Sequence, residues 1–339
     1  MEISENVSLK PYNTFGIEAA ARWFATISSL DDLQAIFYDS QLSVADCNLV
    51  LGGGSNLLFT KNIDGLVIKN EIGGIEKIGE TEDDVFVKVG AGVNWHRFVM
   101  HCIENDWAGV ENLSLIPGCC GASPMQNIGA YGIEIKEVFH ELEAWHIKDQ
   151  SLVKFNLNDC EFGYRESVFK RKMKGQFVIL NVTYRLSKKP VYHTAYGAIS
   201  QELEKMGVQE LSIKKISEAI INIRSSKLPD PKVIGNAGSF FKNPEIGNKQ
   251  YEELKSKFPG IVGYALTNGH VKLAAGWLIE QCGWKGYRNG DAGVHAKQAL
   301  VLVNYGHALG SSIFQLSTEI IDSVKEKFNV ELEREVNIL

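Results

Sequence analysis

The chain has 339 residues, a formal net charge of −6 and a hydrophobic fraction of 45%. A chain of this size is expected to form roughly two or three domains, and its acidic balance argues against a large nucleic-acid-binding face. No apolar run approaches the ~20 residues of a membrane-spanning helix, and the N-terminus lacks the apolar core of a signal peptide. We therefore expect a cytoplasmic protein that binds neither nucleic acid nor membrane.

The first half of the chain mixes short strands and helices. Ser28 and Ser29, followed by two aspartates, are typical of a helix start. Runs rich in β-branched and aromatic residues indicate strands. Helices are predicted over 30–39 and 95–107, and strands over 48–51, 63–69, 85–89, 138–147 and 177–186.

The pattern changes near Ser187–Pro190, after which helical periodicity dominates. Strands and helices are mixed without strict βαβ alternation, so we predict the α+β class rather than a doubly wound parallel sheet. Helices are predicted over 197–206, 212–226, 251–257, 272–282 and 310–327, with a terminal strand within 329–338.

The six cysteines do not suggest a metal site or a disulfide framework. None of them has CxxC spacing, so we interpret them as reduced, mostly buried thiols of a cytosolic protein. The histidines of the first half likewise show no ligand spacing and are interpreted as structural. No metal is predicted at either set: Cys47, Cys102, Cys119, Cys120, Cys160 and Cys282, or His96, His101, His140 and His146.

Two glycine-rich segments are suited to binding a dinucleotide. In LVLGGGSNLLF, residues 49–59, three glycines and Ser-Asn follow a predicted buried strand, and consecutive backbone N–H groups there can form an anion nest. The spacing is not the GxGxxG pattern of a Rossmann fold. In PGCCGASPMQNIGAYG, residues 117–132, an amide pair lies among small residues. Both segments could instead be structural loops, although loops longer than ~12 residues are usually functional or disordered.

A third segment, GNAGSFFKNP at 235–244, places one hydroxyl, Ser239, on a tight loop. Glycine permits positive φ and close approach of a ligand to the backbone, and Asn-Pro favours a turn. An aromatic pair and Lys242 follow directly. Considered alone, this segment is equally compatible with a functional loop and with a structural one.

Taken together, the three segments resemble the UDP-N-acetylenolpyruvoylglucosamine reductase (MurB) family. The resemblance extends to NTFG at 13–16, GYRES at 163–167, KLPDP at 227–231, AAGWLIE at 274–280, KQALVLVN at 297–304 and LEREV at 332–336. PVYHTAYG at 190–197 is similar to the longer subclass, which carries a tyrosine-bearing insertion. The resemblance therefore covers almost the whole chain.

The resemblance implies an FAD-binding fold of the vanillyl-alcohol-oxidase (PCMH) type in two subdomains, plus an α+β substrate-binding domain. The implied limits are 1–69, 70–210 with the insertion near 188–207, 211–325, and a C-terminal strand at 326–339. It implies non-covalent FAD, NADPH as reductant and a monomer. The implied reaction converts UDP-N-acetylenolpyruvoylglucosamine to UDP-N-acetylmuramate in peptidoglycan synthesis.

The resemblance also implies roles for particular residues. Ser239 would protonate the carbanion formed after hydride transfer from flavin N5, and Arg165 would face the substrate carboxylate with its planar fork. Glu335 would lie on the other side of the intermediate, where the neighbouring carboxylate should favour its protonated form. Cofactor contacts are implied for Gly52, Gly53, Gly54, Ser55, Asn56, Leu57, Ser123, Gln126, Asn127, Gly129, Ala130 and Tyr131, and substrate contacts for Tyr164, Tyr196, Lys227, Asn243 and Gln298.

Two features depart from the expected pattern. Position 120 is a cysteine where a small β-branched residue is expected, and Cys119 precedes it, so an oxidisable thiol could lie near the flavin. The chain ends four residues after Glu335, so a frayed tail would hold that carboxyl poorly.

Two other functions remain open at the level of sequence. A flavoenzyme of the same fold could oxidise an alcohol or a sugar with oxygen as acceptor. A non-catalytic UDP-sugar sensor could retain the fold, although the intact set of Ser239, Arg165 and Glu335 argues against it.

Overall fold

The computed structural model describes residues 2–38, 42 and 47–339. Within this part of the chain the helices are α1 (Leu30–Tyr38), α2 (Trp95–Glu104), α3 (Gly197–Lys205), α4 (Ile213–Lys227), α5 (Asn248–Lys257), α6 (Ala275–Gln281) and α7 (Gly310–Phe328). Position 39 of the helix predicted over 30–39 lies outside the described residues.

The strands are short, and several consist of two residues. In chain order they are β1 (Ile3–Ser8), β2 (Ala20–Ile27), β3 (Cys47–Leu51), β4 (Leu57–Leu58), β5 (Ile63–Asn70), β6 (Ile75–Glu80), β7 (Asp84–Gly90), β8 (Gly129–Ala130), β9 (Ile133–Glu134), β10 (Phe139–His146), β11 (Ser151–Asn156), β12 (Phe177–Ser187), β13 (Gly235–Asn236), β14 (Glu245–Gly247), β15 (Gly263–Ala265), β16 (His270–Leu273), β17 (Arg288–Asn289), β18 (Ala292–Val294), β19 (Leu302–Asn304) and β20 (Asn337–Ile338).

The chain divides into two compact units, and each contains separate stretches of sequence. Unit 1 comprises Met1–Val7, Ala21–Gly53 and Ile63–Ser226, and unit 2 comprises Ser8–Ala20, Gly54–Asn62 and Lys227–Leu339. The domain limits given above remain predictions.

Unit 1 contains two large sheets of different type, besides the two-stranded sheet β8-β9. The first has the order β1-β2-β5-β3, in which β2 and β3 both pair parallel with β5. The second has the order β11-β10-β12-β7-β6 and is antiparallel throughout. This mixture agrees with the α+β prediction, because a doubly wound fold is built on one mostly parallel sheet, whereas the larger sheet here is antiparallel.

The main core of unit 1 lies between α2 and the antiparallel sheet. Trp95 and Phe98 of α2 are fully buried, and the ring of Phe98 stacks on that of Tyr184 from β12 with centroids 4.7 Å apart. Asn94 begins α2 by accepting a hydrogen bond from the Arg97 amide at 3.0 Å. The helix ends at Glu104, before Asp106 with φ of +57°, and is therefore shorter than the predicted 95–107.

Unit 2 is built from small sheets and three helices. Its sheets have the orders β13-β19-β18-β17, β14-β16-β15 and β20-β4, and β20 and β4 pair parallel. Phe328 at the end of α7 packs against Phe258 and against Trp277 of α6, with ring centroids 4.8 and 5.8 Å apart. Within the described residues, no helix is both long and apolar enough to cross a bilayer.

Two predicted elements of unit 2 are wrong in extent. The helix predicted over 272–282 is shorter than expected. Residues up to Leu273 belong to strand β16, and the helix begins only at Ala275. The predicted terminal strand is reduced to Asn337–Ile338, with one isolated bridge between Arg334 and Phe241. β16 pairs with the nearby β15, whereas Arg334 and β20 pair with residues distant in sequence, which no local pattern reveals.

Candidate active site

The loop of Ser239 is held by backbone contacts within unit 2. Gly238 has φ of +72°, and its amide donates to the Asn236 side chain at 2.9 Å. A Cβ on Gly235 would lie 2.2 Å from the Phe15 carbonyl oxygen, so only glycine fits there. The next residue, Phe240, is completely buried and its amide donates to the Leu300 carbonyl at 2.7 Å. The Ser239 side chain, in contrast, is half-buried.

Glu335 lies beside this loop although it is far away in sequence. Its amide donates to the carbonyl of Phe240 at 2.8 Å, and the amide of Lys242 donates to the carbonyl of Glu333 at 2.9 Å. Residues 240–242 therefore run antiparallel to residues 333–335, with Phe241 and Arg334 as the bridged pair. The fold of unit 2 thus places two of the three predicted catalytic residues on adjacent segments.

The end of the chain is anchored rather than frayed. Arg334 donates to the hydroxyl groups of Ser317 and Thr318 on α7, each at 2.7 Å. Val336 is buried, and the carbonyl of Leu339 accepts hydrogen bonds from both the amide and the hydroxyl of Thr60. Glu335 is therefore held between anchored neighbours, so the concern about a loose tail does not apply.

Asn243 and Gln298 meet at the first turn of α6. The carboxamide oxygen of Asn243 accepts the Ala275 amide at 3.0 Å, which explains why the helix begins at this residue. The carboxamide oxygen of Gln298 accepts the Leu300 amide at 3.3 Å and lies 3.2 Å from a Cβ built on Gly276. Lys227, the third predicted substrate residue of unit 2, is exposed at the end of α4.

Arg165 belongs to unit 1 and sits in a two-residue turn. Gly163 and Glu166 exchange backbone hydrogen bonds at 3.0 and 3.3 Å, which leaves Tyr164 and Arg165 at the tip. Arg165 has φ of +54°, which is unusual for a residue with a Cβ. Its guanidinium donates to the carbonyls of Asn127 and Gly129 and lies 5.3 Å from the ring of Tyr164.

Asn127 has its side chain inside the protein, where it joins the 117–132 loop to this turn. It is fully buried, its Nδ2 donates to the Gly163 carbonyl at 2.9 Å and to the Glu134 carboxylate at 3.0 Å, and its Oδ1 accepts the Lys136 amide at 3.1 Å. All three bonds serve the chain itself. A cofactor contact of Asn127 would therefore have to come from its backbone.

The side chain of Ser123 is likewise buried and hydrogen-bonded within the chain. Its hydroxyl is buried within hydrogen-bond distance of the Cys120 carbonyl and of the Tyr184 hydroxyl, at 2.8 and 2.9 Å. The neighbouring Gln126 and Ala130 are half-buried, as is Gly129. Gly129 must remain glycine, because a Cβ would lie 2.9 Å from Nη1 of Arg165 and 2.8 Å from the Ile133 carbonyl oxygen.

Tyr131, Tyr196 and Arg224 form a cluster within unit 1. The two tyrosine rings pack edge to face with centroids 5.6 Å apart, and Tyr196 remains half exposed. Burial raises the pKa of the Tyr131 phenol, and the nearby Arg224 acts in the opposite direction. Burial also lowers the pKa of Arg224, whose Nε has no partner among the described residues.

Sequence reasoning missed Arg224, although a signal was present. It lies four residues after the buried Ile220, which itself lies four residues after the buried Ile216. An arginine on the apolar stripe of a helix is unusual, because charged groups are rarely buried without a partner. That position marks it as a candidate for holding an anion or a polar ring.

The glycine loop at 52–56 packs closely against neighbouring backbone. The amide groups of Gly53, Gly54 and Ser55 make no hydrogen bond to any residue in the described part of the chain. A Cβ on Gly53 would lie 2.8 Å from the Gly118 Cα, and one on Gly54, at φ of +61°, would lie 1.9 Å from the Tyr12 carbonyl oxygen. Three consecutive unpaired amides match an anion nest. Leu57, in contrast, is buried in β4.

The two adjacent cysteines are shielded. Burial raises the pKa of the Cys120 thiol far above its usual value, next to Cys119. The Cys119 thiol lies near Gly52, and burial raises its pKa while Lys69 acts in the opposite direction. Because the thiolate is the reactive form, a raised pKa lowers the reactivity of both thiols, and all six cysteines are free thiols.

Comparison with known proteins identifies related sequences along the full chain. A family model described as "UDP-N-acetylenolpyruvoylglucosamine reductase, C-terminal domain" matches residues 230–339, and one described as "FAD binding domain" matches residues 25–156. The protein named UDP-N-acetylenolpyruvoylglucosamine reductase in Amoebophilus asiaticus (strain 5a2) is 52% identical, with 100% of both chains covered. Proteins of the same name from Pseudomonas syringae pv. tomato and Flavobacterium johnsoniae are 50% and 49% identical, with 100% of this chain covered in each case.

The fold also has a relative among solved structures. The crystal structure of UDP-N-acetylenolpyruvylglucosamine reductase (MurB) from Thermus caldophilus superposes with a TM-score of 0.68 and 22% identity. It covers 100% of this chain and 99% of that one. With the FAD-binding family match, this confirms the predicted α+β fold with an FAD-binding region of the vanillyl-alcohol-oxidase type.

Proposed function

Because this chain belongs to the UDP-N-acetylenolpyruvoylglucosamine reductase family, we propose that it reduces UDP-N-acetylenolpyruvoylglucosamine to UDP-N-acetylmuramate in peptidoglycan synthesis. NADPH is the reductant and FAD is the non-covalent cofactor. The chemistry that bound, reduced FAD would supply is a hydride for the terminal vinyl carbon of the enolpyruvyl ether. One hydride and one proton are thereby added across the double bond, which gives the lactyl ether.

The chain fits the cofactor at the glycine loop. The unpaired amides of Gly53, Gly54 and Ser55 would hold the pyrophosphate, because successive backbone N–H groups without internal partners can bind an anion. The 117–132 segment would meet the ring system through its backbone and through Gln126 and Tyr131, since the side chains of Ser123 and Asn127 are used internally.

Ser239 is the proposed proton donor to the carbon next to the carboxylate. The observation that carries the proposal is the hydrogen bond from the Glu335 amide to the Phe240 carbonyl, 2.8 Å long, which joins the segments of these two residues. Glu335 would act as a neutral acid that donates a hydrogen bond to the developing charge. The proton lost by the Ser239 hydroxyl would be replaced from solvent after product release.

Arg165 is proposed to bind the substrate carboxylate in the same reaction. The carbonyl groups of Asn127 and Gly129 orient its guanidinium, and a planar guanidinium is suited to recognising a carboxylate. Backbone contacts on a strained turn fix that orientation before substrate arrives, and such preorganisation is what stabilises charge in a transition state.

The uridine diphosphate part is assigned to Tyr164, Tyr196, Lys227, Asn243 and Gln298. The carboxamide oxygens of Asn243 and Gln298 are already bonded to backbone amides. Their NH₂ groups are therefore the part that each side chain can offer to a ligand, and amide donors suit phosphate oxygens. The exposed Lys227 would add a positive charge.

The proposal includes a cytoplasmic location and a monomeric state. The six free thiols are consistent with a reducing compartment, where NADPH is also available. Light scattering coupled to gel filtration tests the monomer directly, and a constant mass of twice the chain mass of 37.6 kDa would contradict it.

The experiment that tests the function separates the two half-reactions under anaerobic conditions. NADPH should bleach the flavin absorbance, and UDP-N-acetylenolpyruvoylglucosamine should restore it. Ser239→Ala should leave the first step within about 2-fold of the wild type and slow the second by at least about 100-fold, the lower range for a positioned acid.

Ser311→Ala is the matched control, because Ser311 is an exposed serine in the first turn of α7. It should leave both steps unchanged. If substrate reoxidises the flavin of Ser239→Ala at the full rate, Ser239 is not the proton donor. Rapid reoxidation by oxygen with no response to the enolpyruvyl substrate would instead indicate an oxidase.

A further inference from the structure

Asn56 lies in the glycine loop, yet its carboxamide is directed toward the end of the chain. Its Nδ2 donates to the carbonyl of Glu335 at 3.3 Å, so the side chain contacts the backbone of the proposed acid. The Asn56 carbonyl, in turn, accepts two hydrogen bonds from Asn337, from the amide at 3.1 Å and from Nδ2 at 2.9 Å. All these residues belong to unit 2.

The backbone of Glu335 is hydrogen-bonded on both sides. On one side its amide donates to the Phe240 carbonyl, next to Ser239. On the other, its carbonyl accepts Asn56, and two residues later Asn337 pairs with Leu57 at the start of the β20–β4 ladder. The peptide groups that flank Glu335 therefore have partners in both the serine loop and the glycine loop.

We propose that Asn56 is a positioning residue for Glu335, and that Asn337 fixes Asn56 in turn. The loop that supplies the proposed pyrophosphate nest and the segment that carries the proposed acid then behave as one element. Residue 56 would act on the reduction of substrate through Glu335, not through direct contact with the reacting atoms. This inference rests on the proposed role of Glu335.

A double-mutant cycle tests this inference, because two residues that act through one contact give non-additive effects. Asn56→Ala should slow reoxidation of the flavin by substrate about 10-fold and leave its reduction by NADPH within about 2-fold. In a Glu335→Ala background, the same substitution should change reoxidation by less than about 2-fold. Asn337→Ala, which removes one of the two bonds to the Asn56 carbonyl, should give a smaller loss of about 3-fold.

Hydrogen exchange supplies a readout that does not depend on turnover. In the apoprotein and the holoprotein, Asn56→Ala should accelerate exchange of the Glu335 and Asn337 amides while the Phe240 amide, bonded to Leu300, keeps its protection. Asn248→Ala is the control, since Asn248 is an exposed asparagine at the start of α5, and it should leave both amides unchanged.

Each other outcome contradicts a specific part of the proposal. If Asn56→Ala weakens flavin binding by more than about 10-fold while Glu335 amide exchange stays normal, Asn56 is a cofactor contact and the inference is wrong. If the effects of Asn56→Ala and Glu335→Ala multiply, the two residues act independently and the inference is also wrong. If Glu335→Ala alone leaves reoxidation at full rate, it is the proposed role of Glu335 that fails. If Asn56→Ala does not fold, the smaller loss of reoxidation rate expected for Asn337→Ala provides the test instead.

Discussion

Replacing Asn127 with alanine should destabilise unit 1 by about 3–5 kcal/mol. The change removes two hydrogen bonds with neutral partners, each worth about 1 kcal/mol, and one with the Glu134 carboxylate, worth about 1.5–3 kcal/mol. The side chain is fully buried, so water cannot replace these partners without rearrangement. The φ of +43° adds strain for alanine, because left-handed conformations disfavour a Cβ.

Two companion variants separate these contributions. Asn127→Gly also loses the hydrogen bonds but tolerates positive φ, so it should be about 1 kcal/mol more stable than Asn127→Ala. Asn105→Ala is the matched control, because Asn105 is exposed and makes a single side-chain bond to the His101 carbonyl. It should lose about 0.5–1 kcal/mol.

Urea unfolding of the apoprotein, followed by far-UV circular dichroism, measures these differences. A loss below about 1 kcal/mol for Asn127→Ala, or a loss equal to that of Asn105→Ala, would refute the reasoning. The same variant should slow reoxidation of the flavin by substrate, because Asn127 anchors the Gly163 carbonyl next to Arg165. Normal reoxidation in a destabilised protein would show that Arg165 does not depend on this anchor.

Two more predictions concern carboxyl groups. If Glu335 donates a hydrogen bond as a neutral acid, Glu335→Gln should retain at least about 10-fold more activity than Glu335→Ala in reoxidation assays, and equal rates would contradict that role. Burial raises the pKa of Glu111 above its ordinary 4.5, so its contribution to stability is full at low pH and is lost as the pH rises through the folded-state value. Glu111→Gln should therefore stabilise the protein increasingly as the pH rises above 4.5, until the pH has passed the folded-state pKa, in urea titrations. A constant or opposite difference would contradict the assignment.

The elements that sequence patterns predicted well are those determined by local signals. The helix α7 was predicted over 310–327 and is observed at Gly310–Phe328, and the strand predicted over 177–186 is observed at Phe177–Ser187. The helix has buried apolar residues at helical spacing, and the strand is a nearly continuous run rich in β-branched and aromatic residues. The start of α6 failed for a physical reason: its first amide is capped by Asn243, a residue 32 positions earlier, which no local window contains.

The site shows the same limit. Motif resemblance identified Ser239 and Glu335, but the adjacency of their segments depends on pairing of residues 240–242 with 333–335, a register that the alternation of side chains in LEREV does not determine. Asn127 was predicted as a cofactor residue because amides suit a heteroaromatic ring. Its side chain instead satisfies three groups of the chain itself, and burial of that kind cannot be read from composition.

The left-handed residues of the site indicate where rigidity is concentrated. Asn127, Tyr131 and Arg165 all have positive φ, at +43°, +52° and +54°. For a residue with a Cβ such a conformation costs about 1–2 kcal/mol, so surrounding contacts must hold it in place. Those contacts are present, since Arg165 bonds to the carbonyls of Asn127 and Gly129, and the Tyr131 carbonyl accepts Nδ2 of Asn112 at 3.1 Å. Strain held by short-range hydrogen bonds means that the Arg165 turn and the 127–131 loop keep one geometry together, so a change in either should alter the orientation of the guanidinium that the proposed reaction requires.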